Sequence, residues 1–405
     1  MMNRMVSALA GVTVPFVAAA CAFLFGGIML LALGASPLEG ASALLSGAFG
    51  GVDELAATAV KATPLLLVAS GIAIAFRAGV INIGGEGQIV AGTLLSTAVA
   101  QLLPSWPPVL LLPSVLLAGL IGGAAYGAIP GVLKAYAQVN EILSTIMLNL
   151  VAVQLMNFLL RGPMIDPGEI ERGTRIPQTE RLSENADLPL LLDGTRLHLG
   201  VFIAIAAAIV SYIVLWRTPL GFRLRAVGHN PAAAKAAGMP VKRSVVSALA
   251  ISGSLGGLAG AILVFGSEAH RLGTDGSLAG FTGSAGFNGI VTALFGGLHP
   301  LWAIPSSFLF GGLLTGATNL QRVLQVPAPL AVALNGIVVV FVVSSGRLRS
   351  RVDSFVERRR RLDEALANDG SDAGDGAALD LDHLDAASAQ AADGPTSDVS
   401  TGERA

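Results

Sequence analysis

Charge and aromatic side chains are scarce in this chain. Of its 405 residues only 13% are Asp, Glu, Lys or Arg, and 5% are Phe, Trp or Tyr. A soluble domain carries about 25% charged residues, so this chain is not built to be wetted on every side. Cysteine is down to a single residue, Cys21, which excludes an intrachain disulfide and any cysteine-pair metal site. No HExxH, GxSxG or Walker A spacing occurs, and the five histidines are scattered singly. The sequence therefore offers no cluster for hydrolytic or redox chemistry and no phosphate-binding loop for ATP. No cofactor and no nucleic-acid partner are expected.

Apolar residues are abundant instead, at 53% of the chain with a mean hydropathy of +0.69. The charges cluster and leave runs nearly free of them; about 20 such residues cover a ~30 Å hydrocarbon core. These runs lie at 8–33, 56–76, 88–103, 109–131, 141–160, 198–216, 244–265, 281–298, 301–319 and 328–346. The expectation is an all-α polytopic membrane protein with about ten transmembrane helices. A β-barrel would alternate apolar and polar residues over segments of about ten, and that pattern is absent. The rival reading of 8–33, a signal peptide, would need an apolar region of only about 7–15 residues. A retained helix is expected there.

The net charge of −2 averages two different regions. From Asp363 to the end there are eleven acids and one base, Arg404, which leaves 24 basic and 16 acidic residues in 1–362. Residues 217–243 hold Arg217, Arg223, Arg225, Lys235, Lys242 and Arg243 with no acid, and 347–361 hold a second group of arginines. Both are expected on the cytoplasmic side, where basic loops are retained. The stretch 161–197, with seven acids and five arginines, is expected on the extracytoplasmic face. Arg77 and Lys134 then also fall inside, and both termini are cytoplasmic. The chain divides into a membrane body, 1–346, and a cytoplasmic remainder, 347–405. The latter is a basic segment followed by an acidic tail, too poor in large apolar residues to offset its ordering entropy and so expected to be disordered.

Three polar constellations interrupt the apolar pattern. FRAGVINIGGEGQIVAG, residues 76–92, places Arg77, Asn82, Glu86 and Gln88 among five glycines. Irregular backbone at membrane depth survives only against protein or water, so a broken or re-entrant segment is expected. A half-helix starting at Gly84 or Gly85 puts Glu86 in its first turn, where the dipole favours an acid, with Arg77 as a candidate ion partner. The alternative is that Asn82, Glu86 and Gln88 line a path. In VNEILSTIMLNLVAVQLMNFLL, residues 139–160, Asn140 suits an N-cap and Glu141 the first turn. Thr145, Asn149 and Asn157 share an arc of about 120°. Such neutral amides either glue helices together or line a path for polar, uncharged solutes. Asn288 lies in GFTGSAGFNG, too glycine-rich for a plain lipid-facing helix, and is a further path candidate. Finally, residues 218–243 provide 26 residues where about two to eight would join two helices. A short helix is expected there from Pro231 to about Ala237, stopped by Gly238–Met239–Pro240. It would either dock another protein or merely set topology.

Taken in order, FRAGVINIGGEGQ, NEILSTIMLN, TPLGFRLRAVGHNPAAAKAAGM and GFNGIVTALFGGLHP resemble the permease subunits of bacterial ABC importers for nucleosides and simple sugars. These belong to the wider branched-chain amino acid and ribose permease superfamily, and the resemblance covers about residues 10–346. The nearest likeness is to purine-type nucleoside permeases that work with a basic-membrane-protein-like binding lipoprotein. The resemblance implies an ABC importer type II-like permease with a pseudo-repeat, in the cell membrane and not itself an enzyme. It also implies a second homologous permease (a heterodimer), a separate ABC ATPase subunit, and an extracytoplasmic substrate-binding lipoprotein. By the same resemblance 217–243 is the coupling region, with Gly221, Arg223, Arg225, His229, Asn230, Pro231, Ala232, Ala233, Ala234 and Gly238 as ATPase-coupling residues. The family's EAA-x3-G falls on Ala232, Ala233, Ala234 and Gly238, with alanine where the acid would stand. Gly296–Gly297 also depart from the family, whose members commonly carry an arginine or similar polar residue near this point. The implied solute is small and polar, a nucleoside, with a simple sugar as the alternative. An ion-coupled secondary transporter is the rival class. It would need ionisable residues near the midplane, and Glu86, the one strong candidate, is expected near the cytoplasmic end. A membrane enzyme would need a catalytic cluster that is not visible.

Overall fold

The structure is a computed structural model that describes residues 24–32, 34–277 and 280–327, together with positions 333 and 336. All of these lie within one compact unit, Thr13–Leu348. Most of the expected span at 8–33, nearly all of that at 328–346, and the whole of 347–405 lie outside the described residues.

The described chain is helical, with two isolated β-bridges in its loops. In order the helices are α1 (Leu24–Ala32), α2 (Pro37–Phe49), α3 (Val52–Arg77), α4 (Gly85–Leu102), α5 (Pro108–Ala137), α6 (Glu141–Arg161), the short α7 (Pro167–Glu171), α8 (Gly200–Arg217), α9 (Pro219–His229), α10 (Pro231–Ala236), α11 (Val241–Phe265), α12 (Ala285–Phe295) and α13 (Pro300–Leu324). Among the described residues six, namely α3, α5, α6, α8, α11 and α13, are long and apolar enough to cross a membrane. The molecule is an all-α polytopic membrane protein.

Two of the six form the centre. In α3 and α11 78% of the most apolar window is buried, against 28–44% in the other four. Helices apolar all round belong inside or in lipid, and these two are inside. Around them the order repeats: α4 and α5 pack on α11, while α12 and α13 pack on α3. Each trio therefore covers the lead helix of the other. The closest contact is between α5 and α11, where glycines let the backbones touch. A Cβ on Gly123 would lie 2.1 Å from the Gly253 carbonyl oxygen, and one on Gly257 2.1 Å from that of Gly119. Without a hydrophobic drive between helices in lipid, such close van der Waals approach supplies the association.

The structure departs from the sequence pattern at four places. The expected span 88–103 falls on α4, which is not among the six helices long and apolar enough to cross a membrane. The expected span 281–298 is only α12, 11 residues long and too short to cross alone. Positive φ at Gly283 and Ser284 breaks the chain before it, and the same at Gly297 and Leu298 ends it. Helix α2 was not expected, because its Gly, Ala and Ser residues carry little apolar signal; it packs on α13, where Asn319 Nδ2 donates to the Ala43 carbonyl at 2.8 Å. The basic stretch before Pro231 is also helical, as α9.

Candidate functional site

The break expected near Gly84 is present, and its geometry shows how irregular backbone is held inside a helical body. After α3 the chain turns at Gly79 (φ +74°) and runs back, without helix, to Gly84. Side chains satisfy the backbone groups left free. Asn82 Oδ1 accepts from Gly84 N at 2.9 Å, and its Nδ2 donates to Gln88 Oε1 at 3.0 Å and Ser252 Oγ at 2.8 Å. From α6, Asn149 Oδ1 accepts from Gly87 N at 2.8 Å, one of the orphan donors at the start of α4, while its Nδ2 donates to Ile83 O at 2.9 Å. Thr145 packs beside Gly84. Asn82, Glu86, Gln88, Thr145 and Asn149 are each 2% exposed or less.

The start of α12 meets the start of α4 at this point. A Cβ on Gly286 would lie 2.4 Å from Glu86 N, so the two helix N-termini touch backbone to backbone. Their positive dipole ends converge, and the Glu86 carboxyl lies against this meeting point. Its Oε1 accepts from Phe287 N at 3.0 Å, while Oε2 is buried with no hydrogen-bond partner. Glu86 thus sits in the first turn of one helix and caps the other. Helix N-termini that meet inside a membrane body are a way to place polar groups within it.

At the basic end of the bundle a second cluster adjoins the break. Gly228 of α9 lies against it; a Cβ there would be 2.2 Å from the Arg77 carbonyl oxygen. Arg77 does not pair with Glu86. Seven residues of turn and extended chain separate the end of α3 from the start of α4, and the guanidinium turns instead to the α12–α13 turn. Its Nε donates to Leu298 O at 3.2 Å and its Nη2 to Gly297 O at 3.3 Å. The Trp216 ring lies 5.7 Å from Arg77 and 5.8 Å from Arg225, and 4.7 Å from the His299 ring. Cation–π contacts of this kind contribute about 0.5–2 kcal/mol, most when desolvated. One cluster therefore joins α3, α8, α9 and the turn that follows α12.

Beyond α9, Asn230 caps α10 by accepting from Ala233 N at 3.0 Å, and Gly238 (φ +77°) ends the turn. Ala234 is buried against the body, whereas Ala232 and Ala233 face out. The pair α9–α10 thus presents small, exposed side chains on a seat fixed by backbone contact. At the opposite end of the bundle, the 162–199 loop is stitched to the chain between α11 and α12. Thr179 N donates to Leu272 O at 2.8 Å, and Leu182 N to His270 O at 2.7 Å. Asp187 pairs with His270 at 2.8 Å and Asp166 with Arg271 at 3.4 Å. Glu169 is the hub of this loop, accepting from the Thr174 hydroxyl, from Gln178 Nε2 at 2.9 Å and from Arg172 Nη2 at 3.0 Å. The Thr174 hydroxyl foremost, with the Gln178 amide and the Arg172 charge, holds its carboxyl below the ordinary range, against an opposing effect of desolvation.

Residues 54–343 match the family described as branched-chain amino acid transport system / permease component. The chain belongs to this family. The permease is 34% identical over 350 residues to the guanosine ABC transporter permease protein NupP of Bacillus subtilis, covering 85% of this chain and 97% of NupP. It is 34% identical over 316 residues to the nucleoside ABC transporter permease protein NupB of Lactococcus lactis, covering 77% and 85%. The glucose ABC transporter permease protein TsgB13 of Haloferax volcanii is 32% identical over 361 residues, covering 85% and 90%. No solved structure matches the permease.

Of the path candidates, the permease gathers Asn82, Glu86, Gln88, Thr145 and Asn149 at one junction, with Asn288 on the adjoining first turn of α12. Asn157 stands apart near the C-terminal end of α6, where its Oδ1 accepts from Thr274 Oγ1 at 3.3 Å. The coupling candidates fall on α9, α10 and their caps, with Gly221, whose absent Cβ would lie 2.0 Å from the Val214 carbonyl oxygen, at the α8–α9 turn. Sequence reasoning missed Ser252 and Gly286 at the junction, and the Trp216–His299 pair beside α9. The first two lie in glycine-rich runs that carry no chemical signal of their own. Trp216 and His299 meet only through the fold.

Proposed function

We propose that this permease forms the membrane path of an ATP-driven ABC importer for a small, uncharged polar solute, a nucleoside. The observation that carries the reading is α9–α10 seated by backbone contact on the end of α3, where the chain breaks before α4. A push on α9–α10 reaches the break directly through Gly228 and Arg77, and reaches α12 through Arg77 and the Gly297–Leu298 turn. The junction residues Asn82, Glu86, Gln88, Thr145, Asn149 and Asn288 then hold the closed point of the path, and Asn157 stands above them. Their polarity is neutral apart from Glu86, which is engaged by α12; this suits an uncharged solute. Relatives named as nucleoside or guanosine permeases point the same way, and a relative named as a glucose permease keeps a simple sugar as the second reading.

The basic face is the cytoplasmic one in this account. A separate ABC ATPase docks on Gly221, Arg223, Arg225, His229, Asn230, Pro231, Ala232, Ala233, Ala234 and Gly238 and hydrolyses the ATP. A second homologous permease packs alongside in the bilayer, and a substrate-binding lipoprotein delivers solute to the 162–199 side. The permease domain is 1–346, and 347–405 extends into the cytoplasm. The test is uptake of labelled guanosine by cells that lack their own guanosine importer and express the chain with these partners. Uptake that needs every subunit and is competed by nucleosides supports the reading. Uptake competed by glucose and indifferent to nucleosides replaces it with the sugar importer, and uptake without the ATPase overturns the importer.

A further inference from the structure

On the side opposite the basic face, the described residues enclose an open chamber of about 570 Å³ between α3, α11 and α13. This lies in the range of about 300–1,000 Å³ typical of small-molecule sites. None of the junction residues lines it, and its walls come from segments far apart in the chain. Its floor includes Thr282 and Ala285, the approach to α12 and its first residue. Directly after these comes Gly286, in contact with Glu86. The chamber therefore ends on the very junction that closes the path.

The wall combines neutral hydrogen-bonding groups with apolar surface. His198 is 2% exposed, and its Nδ1 accepts from Gly200 N at 3.1 Å, which leaves the ring proton on Nε2. Burial also holds this imidazole below its ordinary value, so it enters the wall as a neutral donor. Gly266 leaves room for it, since a Cβ there would lie 2.6 Å from Nε2. Thr282, Thr318 and Gln321 add hydroxyl and amide groups, and Phe281 adds a flat apolar one. The charges do not make this an ion site. Arg196 and Glu268 are paired with each other at 3.0 Å, and Lys61 is the remaining cation on the wall.

We propose that this chamber, inside a single protomer, holds the solute before it passes the Glu86–Gly286 junction, and that it takes a neutral ring compound bearing hydroxyls, of nucleoside size. The aromatic and aliphatic wall receives the flat base, and the hydroxyl, amide and imidazole groups receive the ribose hydroxyls and base edge. This assignment of solute rests on the nucleoside reading above; the location of the chamber does not.

The test uses the whole transporter, assembled with its ATPase, second permease and binding protein in proteoliposomes. Thr318 is exposed, so Thr318→Trp fills the chamber without displacing a packed side chain. It should lower labelled-guanosine uptake about tenfold or more, while the complex still hydrolyses ATP. In a Cys21→Ser background, Gln321→Cys should react with a small water-soluble thiol reagent, and saturating guanosine should slow that reaction several-fold. Undiminished uptake by Thr318→Trp, with labelling at position 321 indifferent to solute, overturns the chamber. If the parental complex carries labelled glucose and not guanosine, the nucleoside reading fails by itself. The same two measurements with glucose as probe then decide the chamber.

Discussion

Asn149 engages backbone with both ends of its amide, Gly87 N on one side and Ile83 O on the other. Asn149→Ala would leave both unpaired in a buried place, at about 1–3 kcal/mol each. The expected outcome is a clearly lower unfolding midpoint for the detergent-purified transporter, with the KM of the folded fraction little changed. A variant as stable as the parent but with a raised KM would make Asn149 a solute contact instead. A second residue-scale prediction concerns Glu169, whose carboxyl is held below its ordinary value of 4.5 by Thr174, Gln178 and Arg172. A lowered folded value means that the ionised form stabilises the loop. That contribution is complete above 4.5 and is lost as pH falls through the lowered value. Hydrogen-exchange protection factors across 166–182, corrected for the intrinsic pH dependence of exchange, should therefore fall on acidification in the parent. In Glu169→Gln the protection factors should already be low at neutral pH and should show less of this acid dependence.

At the scale of elements, α9–α10 and the α4–α12 junction carry the account. Ala233 is exposed on α10, so Ala233→Trp leaves the fold intact while blocking close approach of a partner. The expected outcome is ATP hydrolysis by the assembled transporter with uptake reduced about tenfold or more, and normal membrane insertion, because the basic residues that set topology remain. Parental uptake would leave α10 as a topological anchor only. Much of this was legible in the sequence. Asn140 announced the start of α6, and Pro231 and Gly238 bracketed α10, because caps and breakers act locally. The glycine run at 79–87 likewise announced a broken helix. Helix α9 was not legible, since only Gly221, Leu224 and Val227 turn inward from an otherwise basic stretch. Nor was the shortness of α12, because residues 281–298 are apolar enough to pass for a span and only the backbone turns at each end cut it down. The contact of Glu86 with α12 joins residues 201 positions apart, and no local pattern could announce it.

For the molecule as a whole, the repeat of α3–α4–α5 in α11–α12–α13 brings the N-termini of α4 and α12 together at Glu86, the proposed closed point of the path. The chamber lies on one side of that meeting and the Arg77–Trp216–Arg225 cluster on the other. On the function proposed above, solute moves from the 162–199 side to the basic side, and ATP acts only from the basic side. The most direct test is made with proteoliposomes of the complete transporter whose basic face is turned outward, loaded with labelled guanosine and binding protein. ATP added to the bath should empty the vesicles, and omission of ATP or of the ATPase should leave them full. Loss of label without ATP, or ATP that drives transport only when trapped inside such vesicles, would contradict the account.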